Sequence, residues 1–298
     1  MIDAVSYWVA SHLTGIFEIR DNSKGLLRKG SRGAGLSINR GVITTVRKTT
    51  DPGYKIFFDG KTRPETEATV TKQIIELLLP KTERSNLRIE HIFQVPLSSG
   101  YGASAAGAVG TAYAINDLLE LGLTQLELFQ IAHRAEVLMK SGLGDVIGLY
   151  QGGLEIRLRE GAPGVGETIP FKNVDGWKVA TVHLGTLPTS GVLSNHHKRK
   201  IVNNAARDVI SELKLSPTFS NFIKQSVAFT INANLWSNKL RECIRKLPES
   251  VIGSQIMLGE AFFIFYHDDS DLEDINIFDS QIHPETICNN TVVKREER

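Results

Sequence analysis

A glycine-rich stretch at residues 96–107 has the composition of a phosphate-binding loop. It reads Pro-Leu-Ser-Ser-Gly-Tyr-Gly-Ala-Ser-Ala-Ala-Gly and follows a run with the pattern of a strand. Gly100 and Gly102 let the backbone come close to a ligand, and the small-residue helix that follows begins with unpaired amide N–H groups. Because these amides and the positive end of the helix dipole attract anions, the stretch predicts a phosphate site.

Three phosphate-loop patterns and one packing alternative compete for this stretch. The P-loop of NTPases needs a Lys after its last glycine, and none follows here. The dinucleotide fingerprint G-x-G-x-x-[GA] is matched by Gly100, Gly102 and Ala105, but no strand pattern follows before the next helix. The third pattern, P-x-x-x-G-x-G-[SA]-S-A-A, is matched in full by residues 96–106. A helix start with small residues for packing alone is the structural alternative, and the full match favours the third pattern.

Two carboxylates further along the chain have the chemistry that phosphoryl transfer requires. Glu136 lies on the next predicted helix, where it could join the hydroxyl of Ser104 in the oxygen shell of Mg²⁺. Asp145 ends the Gly-rich turn 141–145, from which it could accept or orient the proton of a substrate hydroxyl. The structural alternatives are a solvated Glu136, a helix N-cap at Ser104, and an N-cap by Asp145 for a short helix at 146–150.

Length and composition indicate a soluble globular enzyme. The chain has 298 residues, of which 41% are hydrophobic and 22% charged, which suits two medium domains or one large one. A net charge of +1 gives no overall field that would recruit nucleic acid or an anionic membrane. The N-terminus lacks the basic region of a signal peptide, and the apolar stretches are too short to span a bilayer, so a cytoplasmic location is expected. Cys243 and Cys288 predict a buried thiol and a tail thiol.

Hydrophobic patterns predict strands in the first part of the chain and more helices in the second. Strands are expected at 5–19, 36–48, 54–58, 87–95, 154–158 and 177–184, and helices at 65–79, 104–120, 124–140, 194–213, 217–233 and 236–246. The Gly-rich segments 30–35 and 161–166 are interpreted as turns, and the tail from Asp268 as a loose extension. We therefore expect an α+β fold with domains at 1–165 and 166–298.

The phosphate loop resembles that of the GHMP kinases (galactokinase, homoserine kinase, mevalonate kinase and their relatives). This family carries a metal-binding Glu on the helix after the loop helix and, in several members, a catalytic Asp in a following turn. Glu136 and Asp145 match that order. The resemblance implies a ribosomal-S5-domain-2-like N-terminal domain, a ferredoxin-like C-terminal domain and a site between them. It implies that ATP phosphates bind the loop at Pro96, Ser98, Ser99, Gly100, Tyr101, Gly102, Ala103, Ser104, Ala105 and Ala106.

Further motifs narrow the resemblance to the archaeal pantoate kinases. They lie at 11–17, 30–35, 142–146, 152–153 with Arg157, 161–164 and 254–260, spread over nearly the whole chain. This resemblance implies ATP- and Mg²⁺-dependent phosphorylation of the 4-hydroxyl of pantoate in coenzyme A biosynthesis. It implies a catalytic role for Asp145, a metal-binding role for Ser104 and Glu136, and substrate contacts at Ser31, His133, Arg157 and Thr189.

The substrate positions also have interpretations from spacing alone. The guanidinium of Arg157 suits the carboxylate of pantoate, although spacing by itself favours a surface strand arginine. His133 lies one helical turn before Glu136 and could bond substrate oxygens, with a surface histidine as the alternative. Two features depart from the broader family. The first strand has no Lys of the mevalonate-kinase kind, and a sparser version at Gly253 and Gly259 replaces the usual glycine-dense third motif. In addition, Ala103 replaces the first of two serines often found in the loop.

Two other functions compete with this interpretation. One is another GHMP kinase acting on shikimate, homoserine or a mevalonate-type substrate. The other is a non-catalytic RNA-binding protein, because the S5-like fold also serves in ribosomes. Near-zero net charge and the acidic residues beside the loop oppose RNA binding, and the basic run 196–200 is typical of a solvated helix face. The expected partner is a small-molecule substrate, without nucleic acid or membrane, and a homodimer is left open.

Overall fold

Two β-sheets with packed helices form the part of the chain that the structure describes. This computed structural model describes residues 3–84, 86–171, 176–186, 195–273, 275, 277 and 280–297. The strands are β1 (Ala4–Arg20), β2 (Gly30–Lys48), β3 (Tyr54–Phe58), β4 (Lys61–Arg63), β5 (Leu87–Phe93), β6 (Leu154–Arg159), β7 (Glu167–Pro170), β8 (Lys178–Gly185), β9 (Ile252–Ile256), β10 (Glu260–Tyr266), β11 (Ile282–Glu285) and β12 (Val292–Glu297). The helices are α1 (Thr69–Leu78), α2 (Ala103–Leu118), α3 (Gln125–Met139), α4 (Asp145–Gln151), α5 (His196–Leu215), α6 (Phe219–Ala233) and α7 (Asn238–Arg245). The predicted α+β class is confirmed.

The larger sheet is built on the long antiparallel pair β1 and β2. Its strand order is β12-β1-β2-β5-β3-β4, with β6 paired to the first part of β2 and β7 paired to β6. The register of β1 against β2 shifts between Ala10 and Ser11 and again between Thr14 and Ile16. Irregularities of this kind re-aim side chains near active sites, and the two shifts flank His12.

Residues 30–35 are the start of β2, so the prediction of a turn was wrong. They pair with β1 on one side and, from Gly33, with β6 on the other. A Cβ added to Gly33 would come 1.9 Å from the carbonyl oxygen of Ile16. The glycines of this segment therefore let neighbouring strands approach each other closely. Sequence alone does not distinguish glycines in this role from the glycines of a turn.

The C-terminal tail belongs to both sheets, so the prediction of a loose extension was also wrong. In the smaller sheet, of order β11-β8-β10-β9, β11 pairs with β8, and in the larger sheet β12 pairs with β1. Arg40 of β2 donates to both carboxylate oxygens of Glu285 at 3.1 Å, which ties the tail to the larger sheet. The predicted domain boundary at residue 165 stays a prediction. It does not by itself separate the two sheets, because β12 follows it in the chain and yet belongs to the larger sheet.

Helix α2 packs directly on β1 and β2 because its residues are small. Ala and Gly fill most of its buried positions, and a Cβ on Gly110 would come 2.6 Å from the hydroxyl of Thr44. Helix α3 begins at the predicted capping box of Thr124 and Glu127. Helices α5 and α6 pack on each other and on β1, and α6 also packs on β9 of the smaller sheet.

Two expectations drawn from composition can be compared with the structure. Cys243 and Cys288 are both buried free thiols, so the thiol in the tail is buried as well. Within the described ranges, none of the helices has the length and apolar character needed to cross a membrane.

Candidate active site

A cavity of about 520 Å³ lies where the loop before α2, the turn before α4 and the turn between β9 and β10 meet. It is lined by the whole loop 96–104, by Glu136 of α3, by the turn 140–145 and by Met257 and Leu258. Segments that are far apart in the sequence therefore form one site.

The loop adopts the conformation that its composition predicts. Gly100 and Gly102 both have positive φ, and Gly102 is the N-cap of α2 without any side-chain cap. The first amides of α2 are thus available to an anion beside the cavity. Ala105 and Ala106 are fully buried and do not line the cavity. Their role in the predicted phosphate site is therefore indirect, because their small side chains let α2 pack closely.

Ser99 fastens the loop to the smaller sheet. Its hydroxyl donates to the carbonyl of Leu97 at 2.9 Å and lies 2.9 Å from Nε2 of His183 on β8. Tyr101 is buried, and its ring lies 5.8 Å below the guanidinium carbon of Arg40. These two loop residues therefore hold the loop in place, a role that the sequence pattern did not separate from phosphate binding.

Glu136 is buried at the cavity wall, so the alternative of a solvated glutamate is wrong. Its Oε1 accepts hydrogen bonds from the hydroxyls of Ser104 and Ser141. Burial raises the pKa of Glu136 to about 7, the two hydroxyls oppose that rise, and the charge of Asp145 adds to it. Ser104 bonds Glu136 rather than capping α2, so the N-cap alternative for this serine is wrong too.

The oxygen donors around Glu136 suit Mg²⁺ better than a transition metal. A hydroxyl and a carboxylate meet beside the loop, and the buried carboxylate gains a favourable counter-charge when a cation binds. Among the residues described, no group of three or more His, Cys, Asp or Glu is arranged to hold a metal ion. Mg²⁺ usually keeps several waters and binds substrate phosphates, so one carboxylate and one hydroxyl are sufficient protein ligands for it.

Asp145 is the first residue of α4, and its side chain does not cap the helix. Its Oδ1 lies 2.9 Å from Nδ1 of His12 and accepts a weak hydrogen bond from the hydroxyl of Thr14 at 3.4 Å. The side chain is 25% exposed and lines the cavity. The N-cap alternative is therefore wrong, and the carboxylate is available to a ligand.

Arg157 is fully buried, so the surface alternative is wrong. It forms an ion pair with Glu155, which also lies 2.9 Å from Nε2 of His12. A Cβ on Gly144 would come 2.3 Å from the hydroxyl of Ser31 and 3.0 Å from Nε of Arg157. Ser31 lines the cavity, whereas Arg157 does not line it and lies behind Ser31 and Gly144.

The predicted substrate position His133 is not brought to the cavity. His133 is 1% exposed, and its Nε2 lies 2.9 Å from the carbonyl oxygen of Lys29. Burial lowers the pKa of this ring, against the effect of the backbone carbonyls. The neutral ring therefore ties α3 to the segment before β2. Thr189 lies outside the residues that the structure describes.

Two groups of residues in or directly behind the cavity wall were not identified from the sequence. His12 and Thr14 reach Asp145 from β1, and polar residues in the middle of this largely buried strand are the signal that could have identified them. At the opposite end of the cavity, Phe58 and Phe93 form an edge-to-face pair with centroids 5.1 Å apart. Their separation of 35 positions in the chain leaves no local motif.

Known proteins resemble this chain over most of its length. The model of the GHMP kinases N terminal domain matches residues 69–153. The pantoate kinase of Thermococcus kodakarensis is 33% identical over 267 residues, which cover 88% of this chain and 87% of that protein. The pantoate kinase of Methanocaldococcus jannaschii is 31% identical over 252 residues, covering 85% and 89%. A solved structure described as a phosphotransferase related to the CoA biosynthesis pathway has a TM-score of 0.87 and 28% identity, with 98% of both chains covered.

Proposed function

Because this chain belongs to the pantoate kinases of the GHMP kinase family, we propose that it transfers the γ-phosphoryl group of ATP to the 4-hydroxyl of pantoate. The observation that carries the proposal is the single cavity that joins the loop 96–104, Glu136 and Asp145. A phosphate cradle, an oxygen donor for a cation and a carboxylate for the hydroxyl are the parts that this reaction needs. The product, 4-phosphopantoate, is an intermediate for coenzyme A biosynthesis.

The cavity has two ends that suit the two substrates. The aromatic end at Phe58 of β3 and Phe93 of β5 fits the flat base of ATP, and the strand order β1-β2-β5-β3 separates it from Thr14 of β1. At the other end, Thr14 and Ser31 offer hydroxyls, while Leu143 with neighbouring apolar side chains offers a wall for the two methyl groups of pantoate. We therefore assign the γ-phosphate to the region between the N-terminus of α2 and Asp145.

Ser104 and Glu136 would hold Mg²⁺ beside the phosphates. When bound, the ion supplies positive charge that neutralises the phosphate oxygens during transfer. In the protein alone, Ser104 donates to Glu136. When the ion binds, the hydroxyl of Ser104 therefore has to turn away from Glu136, or the ion and the hydroxyl have to share the carboxylate. The exposed position of Ser104 leaves room for this rearrangement.

Asp145 is assigned to the hydroxyl that receives the phosphoryl group. The hydroxyl oxygen forms the new bond to the γ-phosphorus, and the bond from this phosphorus to the β,γ-bridging oxygen breaks. The electron pair leaves with ADP, and the hydroxyl proton passes to Asp145. His12 and Thr14 fix Oδ1 of this carboxylate, so the other oxygen is the one to accept the proton.

We assign Arg157 to the carboxylate of pantoate because of its position behind the cavity wall, since its side chain is not itself exposed to the cavity. It lies behind Ser31 and Gly144, and its Nε has no hydrogen-bond partner among the described residues. A small movement of Ser31 would bring this N–H into contact with a bound anion. His133 has a backbone partner instead, and we do not assign it to the substrate.

An ADP-release assay with ATP and Mg²⁺ tests the function directly. Pantoate, shikimate, homoserine and mevalonate are supplied one at a time, and phosphorus NMR of the product identifies the phosphorylated hydroxyl. We expect turnover with pantoate alone and a phosphate ester at its 4-position. Turnover with one of the other three alcohols and none with pantoate would replace the proposal with another GHMP kinase activity.

A further inference from the structure

The ring of His12 is completely buried between two carboxylates. Its Nδ1 lies 2.9 Å from Oδ1 of Asp145, and its Nε2 lies 2.9 Å from Oε1 of Glu155. The ring fits a slot between two backbones. A Cβ on Gly35 of β2 would come 2.7 Å from ring atoms, and a Cβ on Gly148 of α4 would come 2.3 Å from Nε2. The ring therefore has one position and is bonded at both nitrogens.

Two carboxylate partners decide the charge of this ring. A neutral imidazole donates from one nitrogen and accepts at the other, whereas an imidazolium donates from both. Carboxylates at both ends thus require the imidazolium form of His12. Burial lowers the pKa of His12, but the hydrogen bonds and charges of Asp145 and Glu155 outweigh burial and raise the pKa above its ordinary 6.5. Arg157 also donates to Glu155, which completes a row of alternating charges.

We propose that His12 is a positioning residue for phosphoryl transfer, which holds Oδ1 of Asp145 so that Oδ2 faces the substrate hydroxyl. The inference rests on the proposed role of Asp145 in the phosphorylation of pantoate. Three elements face the ring: α4 with Asp145, β6 with Glu155 and Arg157, and β2 with Gly35. Since Asp145 has only one other side-chain contact of hydrogen-bond length among the described residues, at 3.4 Å from Thr14, the ring supplies most of its orientation.

The backbone of His12 adds a second constraint on the same geometry. A Cβ on Gly102 would come 2.7 Å from the carbonyl oxygen of His12, so the last residue of the phosphate loop lies directly on this strand position. One residue of β1 therefore contacts both the loop that would hold the phosphates and the carboxylate that would take the proton. The distance between these two parts of the site is set by a single rigid strand.

A double-mutant cycle separates positioning from a merely structural role. The variants are His12→Asn, Asp145→Asn and the pair, and kcat and KM are measured for both substrates. We expect His12→Asn to lower kcat about 10- to 100-fold, the size of coupling between contacting groups, with little change in either KM. In the Asp145→Asn background the same substitution should cost little. Losses that multiply in the double variant, or an unchanged kcat in His12→Asn, would overturn the proposal.

Nitrogen NMR of histidine-labelled protein gives a readout that needs no turnover. The His12 signal is recognised by its response to Asp145→Asn, a change that removes one of its two acceptors. We expect both ring nitrogens of the wild-type protein to carry protons at pH 7 and the pKa to fall in Asp145→Asn. A ring that carries no proton on Nδ1 at pH 7 cannot donate to Asp145 and would overturn the proposal even if the protein phosphorylates pantoate. Conversely, lack of pantoate turnover would contradict the proposed function and leave this result interpretable.

Discussion

Gly259, in the turn between β9 and β10, lies against the backbone carbonyl of Ser99 in the phosphate loop. A Cβ added at Gly259 would come 1.9 Å from the oxygen of Ser99, a distance at which the backbone has to move. The turn from the smaller sheet thus sets the position of the loop that opens α2. The conformation of the candidate phosphate site depends on a segment more than 150 positions later in the chain.

The first prediction follows from this contact. Gly259→Ala should displace the loop and raise KM for ATP, because the loop amides lose their alignment with the phosphates. Gly25→Ala is the matched control, since a Cβ at Gly25 meets nothing within 4 Å. The two KM values for ATP, measured at saturating pantoate, provide the check. An unchanged KM in Gly259→Ala would show that the loop adapts without this contact.

Asp145→Asn should reduce kcat by about 10²–10⁴ if Asp145 accepts the hydroxyl proton, because an amide cannot act as a base. ATP binding should remain nearly intact, since Asp145 is not part of the loop that is assigned to the ATP phosphates. The exposed Asp208→Asn on α5 serves as the control for a lost aspartate charge. Steady-state kinetics and an ATP titration are the measurements. Near-normal turnover in Asp145→Asn would leave Asp145 only an orienting role.

Glu136→Gln and Ser104→Ala should both weaken the use of Mg²⁺. Each removes an oxygen donor or a negative charge from the assigned cation site, so the Mg²⁺ concentration for half-maximal activity should rise. Glu127→Gln on the same helix is the control, because Gln also serves at this position of a capping box. A titration of activity with Mg²⁺ at fixed ATP compares them. An unaltered Mg²⁺ requirement in both test variants would place the ion elsewhere.

The ligand-free protein should lose stability as pH rises through 7 because of Glu136. Its pKa is raised from 4.5 to about 7 in the folded state. Between these two pH values, the folded protein therefore binds one proton that the unfolded chain does not bind. The stabilisation by this proton is fully present below pH 4.5, decreases as the pH rises toward 7 and is lost above 7, and it amounts to about 3 kcal/mol. Glu136→Gln should therefore melt at a higher temperature than wild type above pH 7 and at a similar temperature near pH 5. Parallel melting curves at all pH values would contradict the raised pKa.

Arg157 can be tested with a paired substitution of its partner. Arg157→Met leaves Glu155 buried beside only His12, which should destabilise the fold by about 3–5 kcal/mol. Adding Glu155→Gln removes the unpaired charge and should recover part of that loss. If Arg157 also attracts the substrate carboxylate, KM for pantoate stays raised about 10- to 100-fold in both variants, the value of a lost charge-assisted hydrogen bond. A pantoate KM that returns to normal in the double variant would make Arg157 purely structural.

Local patterns in the sequence predicted the features that depend on neighbouring residues. The glycine spacing at Gly100 and Gly102, the small residues of α2 and the capping box at Thr124 are local, because backbone conformation and helix initiation are decided within a few positions. The order of loop, Glu136 and Asp145 along the chain was also readable as a family pattern. Those predictions agree with the conformation and the placement of the residues in the fold.

Packing between distant segments decided the rest. Residues 30–35 have the composition of a turn, yet β1 and β6 draw them into a sheet, and the tail that lacks periodicity becomes two edge strands. Arg157 was interpreted as a surface residue because the alternating pattern of its strand indicates only one buried face. In the structure, the carboxylate of Glu155 provides the negative charge that lets Arg157 be buried. The partnership of His12 with Asp145 spans 133 positions and leaves no local signature, because only the folded sheet brings the strand and α4 together.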